Sequence, residues 1–109
     1  MEAPEPSVVP ARREQLVPAS GAIRRGTATW YCCTRGHGEN ELVAAAGAEI
    51  RVGDWRGRSV SVCAGRRCIR VKLVDWCGCP GNRIIDLHPG AFRQLAPLSS
   101  GIVAVTVRW

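Results

Sequence analysis

Two kinds of residue in this chain have types and spacings that do chemistry: an acid at the end of an apolar strand, and six cysteines in three close pairs. Asp75 follows Val71, Leu73 and Val74, where an alternating run gives way to Trp76-Cys77-Gly78-Cys79. An acid placed where a strand leaves a core can pass a proton to a bound substrate, the work of a general acid. The competing reading is an Asp that caps the turn at Cys77-Gly78. His37 and Glu39, in the polar segment after Cys33, are candidate partners for Asp75. Asp86, in Ile84-Ile85-Asp86-Leu87, reads as a structural acid that satisfies backbone N–H groups near a helix start. His88, just before Pro89, reads as a boundary residue.

The cysteine spacings are Cys32-Cys33, Cys63-x4-Cys68 and Cys77-x-Cys79. Cys63 and Cys68 flank a turn, so a bridge across its base is easy. Cys32 and Cys33 should point to opposite faces of a strand unless the strand ends there. One bridge between the Cys32-Cys33 and Cys77-Cys79 clusters is therefore expected, and two are allowed. A zinc site with His37 as an extra ligand competes, but zinc sites favour Cys-x2-Cys knuckles, which this chain lacks. Disulfides, an oxidising compartment, no metal and no cofactor are the expectation.

These residues need a scaffold, and the length bounds it. One hundred and nine residues make one domain, 46% hydrophobic and 22% charged. With one Phe and one Tyr, the core is small and depends on covalent staples. No run approaches a membrane span, and the first residues carry no apolar stretch of the secretory-signal kind. A net charge of +6 favours polyanions without choosing among them. The arginines are scattered, and no C₂H₂ spacing, RRM core or basic helix is present, so no specific nucleic-acid partner is expected.

Met1 to about Arg25 holds four of the seven prolines and reads as a linker or propeptide-like segment, dispensable for folding, with the domain at 26–109. Strands are expected at Thr27–Cys33, Ala48–Val52, Ser59–Cys63, Cys68–Asp75, Ile84–Leu87 and Ile102–Trp109. The alanine run 44–46 reads as a loop or a close backbone approach. One helix runs from Pro89 to about Ala96, with Pro at its first position. Six short strands and one short helix point to a mainly all-β, closed barrel.

The ordered pieces Gly26-Thr-Ala-Thr-Trp-Tyr31, Val71-Lys-Leu-Val-Asp75, Arg83-Ile-Ile-Asp-Leu87 and Ala91-Phe92 resemble a known family. They are similar to the double-psi β-barrel of rare lipoprotein A-like lytic transglycosylases and of the first domain of expansins. The resemblance implies a six-stranded barrel with a groove across one face. It also implies a secreted or envelope-associated protein acting on glycan strands, with peptidoglycan or another cell-wall polysaccharide as the expected partner; a monomer is expected. Asp75 takes the place of the family's invariant acid, and Thr29 that of a hydroxyl that bonds the acid or the sugar. Tyr31 belongs to the same signature. Arg83 is placed to hold a sugar oxygen or carboxylate, or to stand in solvent. The segment from Tyr31 to Ala48 departs from the family pattern, which leaves the second half of the site open.

Only Asp75 has a strong claim to catalysis by this reading, and an inverting glycosidase needs two carboxylates. A lytic transglycosylase needs less, because the muramic C6 hydroxyl attacks within the same molecule. The alternatives are an expansin-like binding or wall-loosening module without cleavage, and a structural barrel of a larger envelope or phage protein. Trp30, Trp55 and Trp76 offer apolar faces that suit sugar rings. Trp76, beside Asp75, is the one expected in the groove.

Overall fold

The computed structural model describes residues 22–109. The sequence alternates most clearly in three places, and there the strands form with alternating burial: β3 (Ser59–Ala64), β4 (Arg67–Trp76) and β6 (Ile102–Arg108). β1 (Ile23–Trp30), β2 (Val43–Ala46) and β5 (Arg83–Leu87) complete a closed six-stranded barrel in the order β1-β5-β2-β4-β3-β6. Two pairs are parallel, β1 with β5 and β2 with β4; the other contacts are antiparallel. Closure leaves no edge strand open to another chain.

The core is aliphatic. Val60, Val62, Val71, Leu73, Ile84, Ile85, Leu87 and Val107 fill the barrel with Phe92 from α1 (Pro89–Arg93). Ile84 and Ile85 are neighbours, yet both are buried. A register shift in the β1–β5 pair skips Ile84, which lets consecutive residues turn inward. No helix among the described residues is long and apolar enough to cross a membrane.

Several elements differ from the sequence expectation. The second strand is Val43–Ala46, not Ala48–Val52; residues Ala48–Ile50 form a 3-10 turn. The alanines are buried in β2, which lies between β4 and β5. Gly47 follows, and a Cβ there would meet the Ile84 carbonyl oxygen at 2.7 Å. β1 starts at Ile23 and pairs with β6 from Arg108 onward, so the first strand reaches three residues before Gly26. The rest of the proposed linker, residues 1–21, lies outside the described residues. α1 is one turn shorter than expected and ends at Arg93.

Cys63 and Cys68 face each other in register and are joined across the β3–β4 hairpin. The expected bridge between the other two clusters is not formed: Cys32 pairs with Cys33, and Cys77 with Cys79. β1 stops at Trp30, so Cys32 and Cys33 lie past the strand and are not held on its opposite faces. Replacing Cys63 and Cys68 together by Ser is expected to cost about 2 kcal/mol, the low end for a short loop. Paired urea melts of the two proteins measure it, and a non-reducing peptide map checks all three pairings.

Candidate functional site

A second register shift builds the site. In the β2–β4 pair Ala44 faces Leu73, but Ala45 faces Asp75, so Val74 is skipped. Such a bulge re-aims the residue that follows. Here it turns Asp75 away from the side of buried Leu73 and onto the face of Ala45. Ala45 also faces Asp86 of β5, and Asp86 faces Thr29 of β1. One row thus crosses four strands: Thr29, Asp86, Ala45, Asp75. The two acids stand two strand spacings apart, about 9–10 Å between their Cα atoms, across a methyl-sized floor.

The two carboxylates have different surroundings. Asp75 accepts hydrogen bonds at both oxygens, from the Thr34 hydroxyl at 2.9 Å and from the Trp76 N–H at 2.8 Å. Asp86 accepts from the Thr29 hydroxyl at 2.8 Å and has an Arg83 nitrogen 3.9 Å from its other oxygen. Burial holds the Asp86 carboxyl above its ordinary 3.8; the Thr29 hydrogen bond and the charge of Arg83 pull the other way. Two carboxyls in unlike surroundings, one of them raised by burial, are the arrangement from which an acid and a base can be divided.

The segment between β1 and β2 closes over this row and is pinned by His88. The His88 ring is fully buried. Its Nε2 accepts from the Thr34 N–H at 3.1 Å, so its Nδ1 carries the proton and donates to the Gly38 carbonyl at 2.8 Å. Gly90 packs against the same segment, its N–H on the Glu39 carbonyl, and a Cβ there would meet the Asn40 Cα at 2.6 Å. Thr34 spends its one hydroxyl proton on Asp75, so the Tyr31 hydroxyl, which also contacts it, is the donor in that contact. Burial pushes the Tyr31 phenol above its ordinary 10.0, opposed by the Thr34 hydrogen bond and reinforced by the charges of Asp75 and Asp86. Tyr31 is therefore a neutral donor to Thr34, which in turn donates to Asp75.

The sequence-derived candidates fall into two groups. Asp75, Thr29, Tyr31 and Arg83 come together, although Thr29 bonds Asp86 rather than Asp75. His37 is 3.1 Å from Glu41 on the exposed part of the segment, and Glu39 meets Gly90 through its backbone; Thr34, not these two, reaches Asp75. Trp76 is 58% exposed beside Asp75, with Arg51 over its ring at 5.6 Å. Arg51 is itself anchored on the Ala46 and Cys77 carbonyls, so the indole is held as a platform. Trp30 is 38% exposed and donates to the Leu98 carbonyl, while Trp55 packs against the core. Thr34 and His88 were missed as site residues, and Asp86 bonds a side chain where a backbone partner was expected.

Comparison with known proteins agrees with this architecture. The chain is similar to the Streptomyces papain inhibitor, with 29% identity and a TM-score of 0.65, covering 80% of this chain and 93% of that one. It is also similar to the expansin of Clavibacter michiganensis, at 24% identity and a TM-score of 0.63, covering 79% of this chain and 49% of that one. A mutant of that expansin, solved in complex with cellohexaose, matches at 23% identity and the same TM-score of 0.63. The chain thus spans about half the length of the expansins. No match is found among curated proteins. The family model described as lytic transglycolase matches residues 23–107, nearly the whole barrel, and the chain belongs to that double-psi β-barrel family.

Proposed function

We propose that this protein acts outside the cytoplasm on cell-wall glycan strands, and that it cleaves peptidoglycan by lytic transglycosylation. The observation that carries the reading is the row in which Asp86 and Asp75 flank Ala45. Asp86, whose carboxyl is held above its ordinary value by burial, donates a proton to the bridging glycosidic oxygen as the bond from the muramic C1 breaks. The muramic C6 hydroxyl closes onto C1, and its proton passes to the Asp75 carboxylate. Tyr31 and Thr34 orient Asp75, Thr29 and Arg83 orient Asp86, and Trp76 supports a sugar ring. Because the attack is intramolecular, no water has to be bound and activated. The three disulfides are consistent with an oxidising, extracellular setting.

Mass spectrometry of a peptidoglycan digest tests this. Products with 1,6-anhydromuramic ends are expected. Reducing ends would replace transglycosylation by hydrolysis, for which two carboxylates with a water between them suffice. No products, with glycan still retained, would leave an expansin-like binding module or a structural barrel. Cleavage should also fall as pH rises through the raised Asp86 value, because the acid loses its proton there.

A second reading rests on the likeness to the Streptomyces papain inhibitor, which extends over 93% of that protein. In it the barrel blocks a papain-like cysteine protease, and the carboxylate row is idle. Titration of papain with this protein against a peptide substrate separates the two. Inhibition retained by Asp86→Asn, with no glycan products from the unmutated chain, would favour the inhibitor.

A further inference from the structure

The wall of the barrel away from the carboxylate row carries a depression of about 450 Å³, lined by Ala22, Ile23, Ser59, Ser61, Arg70, Arg108 and Trp109. Its floor is again a register row. Ser61 of β3 faces Arg70 of β4 on one side and Arg108 of β6 on the other, and Arg108 faces Ile23 of β1. This row runs from β4 over β3 and β6 to β1, whereas the acids stand on β5 and β4 on either side of β2. Along β1 the two rows are six residues apart, Ile23 against Thr29, or about 20 Å of strand.

The chemistry of the depression is two-sided. Arg70 and Arg108 are exposed guanidiniums on either side of a serine hydroxyl, and Lys72 stands one row further, opposite Ser59. Among the described residues, no Asp or Glu side chain lines the depression or forms a salt bridge with these three cations. The other side is the Trp109 indole with Ile23 and Ala22. The ring is braced by Arg24 and Arg58, with guanidinium carbons 5.7 and 5.8 Å from its centroid. Forked guanidiniums beside a hydroxyl match a tetrahedral oxyanion, and a braced indole matches the apolar face of a pyranose.

We infer that this depression binds a phosphate-bearing sugar, as a unit of an anionic glycan, with the phosphate between Arg70 and Arg108 and the ring against Trp109. The site stands apart from the carboxylate row, so its loss leaves glycan cleavage unchanged. A neutral sugar would lack the ionic anchor, and inorganic phosphate would lack the indole contact.

Calorimetric titration of the full chain with glucose 6-phosphate, glucose, inorganic phosphate and a short DNA duplex tests the assignment. Glucose 6-phosphate should bind more tightly than either glucose or phosphate. Arg108→Gln should weaken it about tenfold or more, the usual effect of losing a hydrogen bond to a charged group. Trp109→Ala should weaken glucose 6-phosphate while leaving phosphate unaffected. Arg66→Gln, an equal change of charge in the exposed β3–β4 turn, should do nothing; thermal melts confirm that each variant is folded. The assignment is overturned if Arg66→Gln weakens binding as much as Arg108→Gln, if phosphate binds as tightly as the sugar phosphate, or if the duplex outcompetes it. It is equally overturned if no sugar phosphate binding is detected.

Discussion

Replacing Asp86 by Asn is expected to abolish most glycan cleavage while leaving the protein as stable as before, or more so, at pH 7. The amide oxygen still accepts from the Thr29 hydroxyl, so the side chain keeps its place. What disappears is the proton, and a positioned acid supplies roughly 10²–10⁴-fold in rate. Stability moves the other way for a reason of linkage. Burial raises the Asp86 value in the folded state, so between the unfolded and folded values the folded chain holds a proton that the unfolded chain has released. Stability therefore falls as pH rises through that window and stays lower above it. Asn carries no such dependence, and the variant's melting temperature should vary less with pH above about pH 4. Cleavage assays beside melts across pH decide the matter. Full activity in the variant would take Asp86 out of the mechanism. Asp75→Asn is the companion test: if Asp75 receives the C6 proton, it too should lose turnover while glycan binding survives.

The second large effect belongs to His88. Leu in its place would take the ring partner from the Thr34 N–H and from the Gly38 carbonyl, both of them part-buried bonds. Each such orphan costs about 1–3 kcal/mol, so the variant should lose about 2–5 kcal/mol of stability. For a domain of this size that is about 10–30 °C in melting temperature. Cleavage should fall in the folded fraction as well, because the segment that delivers Thr34 to Asp75 loses its post. Thr34→Val separates the two effects: it removes the hydroxyl from Asp75 and Tyr31 but retains the N–H bond to His88. It should therefore reduce turnover with only a small change in melting temperature. Wild-type stability in His88→Leu would show that the segment is held by other contacts, such as Gly90 on Asn40.

The barrel was legible wherever one face of a strand is wet. Ser59–Ala64, Arg67–Trp76 and Ile102–Arg108 alternate because solvent lies on one side and the core on the other. β2 escaped for the opposite reason. Val43–Ala46 is buried on both faces, so it has no period, and its small side chains look like those of a loop. The site was half legible. Asp75, Thr29 and Tyr31 stand in recognisable runs, but the facing of Asp75 toward Asp86 depends on the skipped Val74. A one-residue shift reverses which face a side chain occupies, and no spacing in the sequence announces it. Thr34 and His88 meet across 54 residues, and a threonine in a polar segment carries no local mark of such a contact. The cysteine pairings failed on a strand end: with β1 stopping at Trp30, the argument from opposite faces did not apply.

The two ends of the described chain are neighbours. Ala22 and Trp109 exchange both backbone hydrogen bonds, at 2.8 and 3.1 Å, where β1 and β6 zip the barrel shut. The fold is therefore a ring interrupted at that seam, and it is expected to tolerate interruption elsewhere instead. A short glycine linker from Trp109 to Ala22 would restore continuity there, and new termini could open at the Gly65 turn. The Cys63–Cys68 bond lies immediately inside that cut and would clamp the new ends together. Such a circular permutant would keep the row of acids intact. It would also turn the hairpin tip into an attachment point for a second domain.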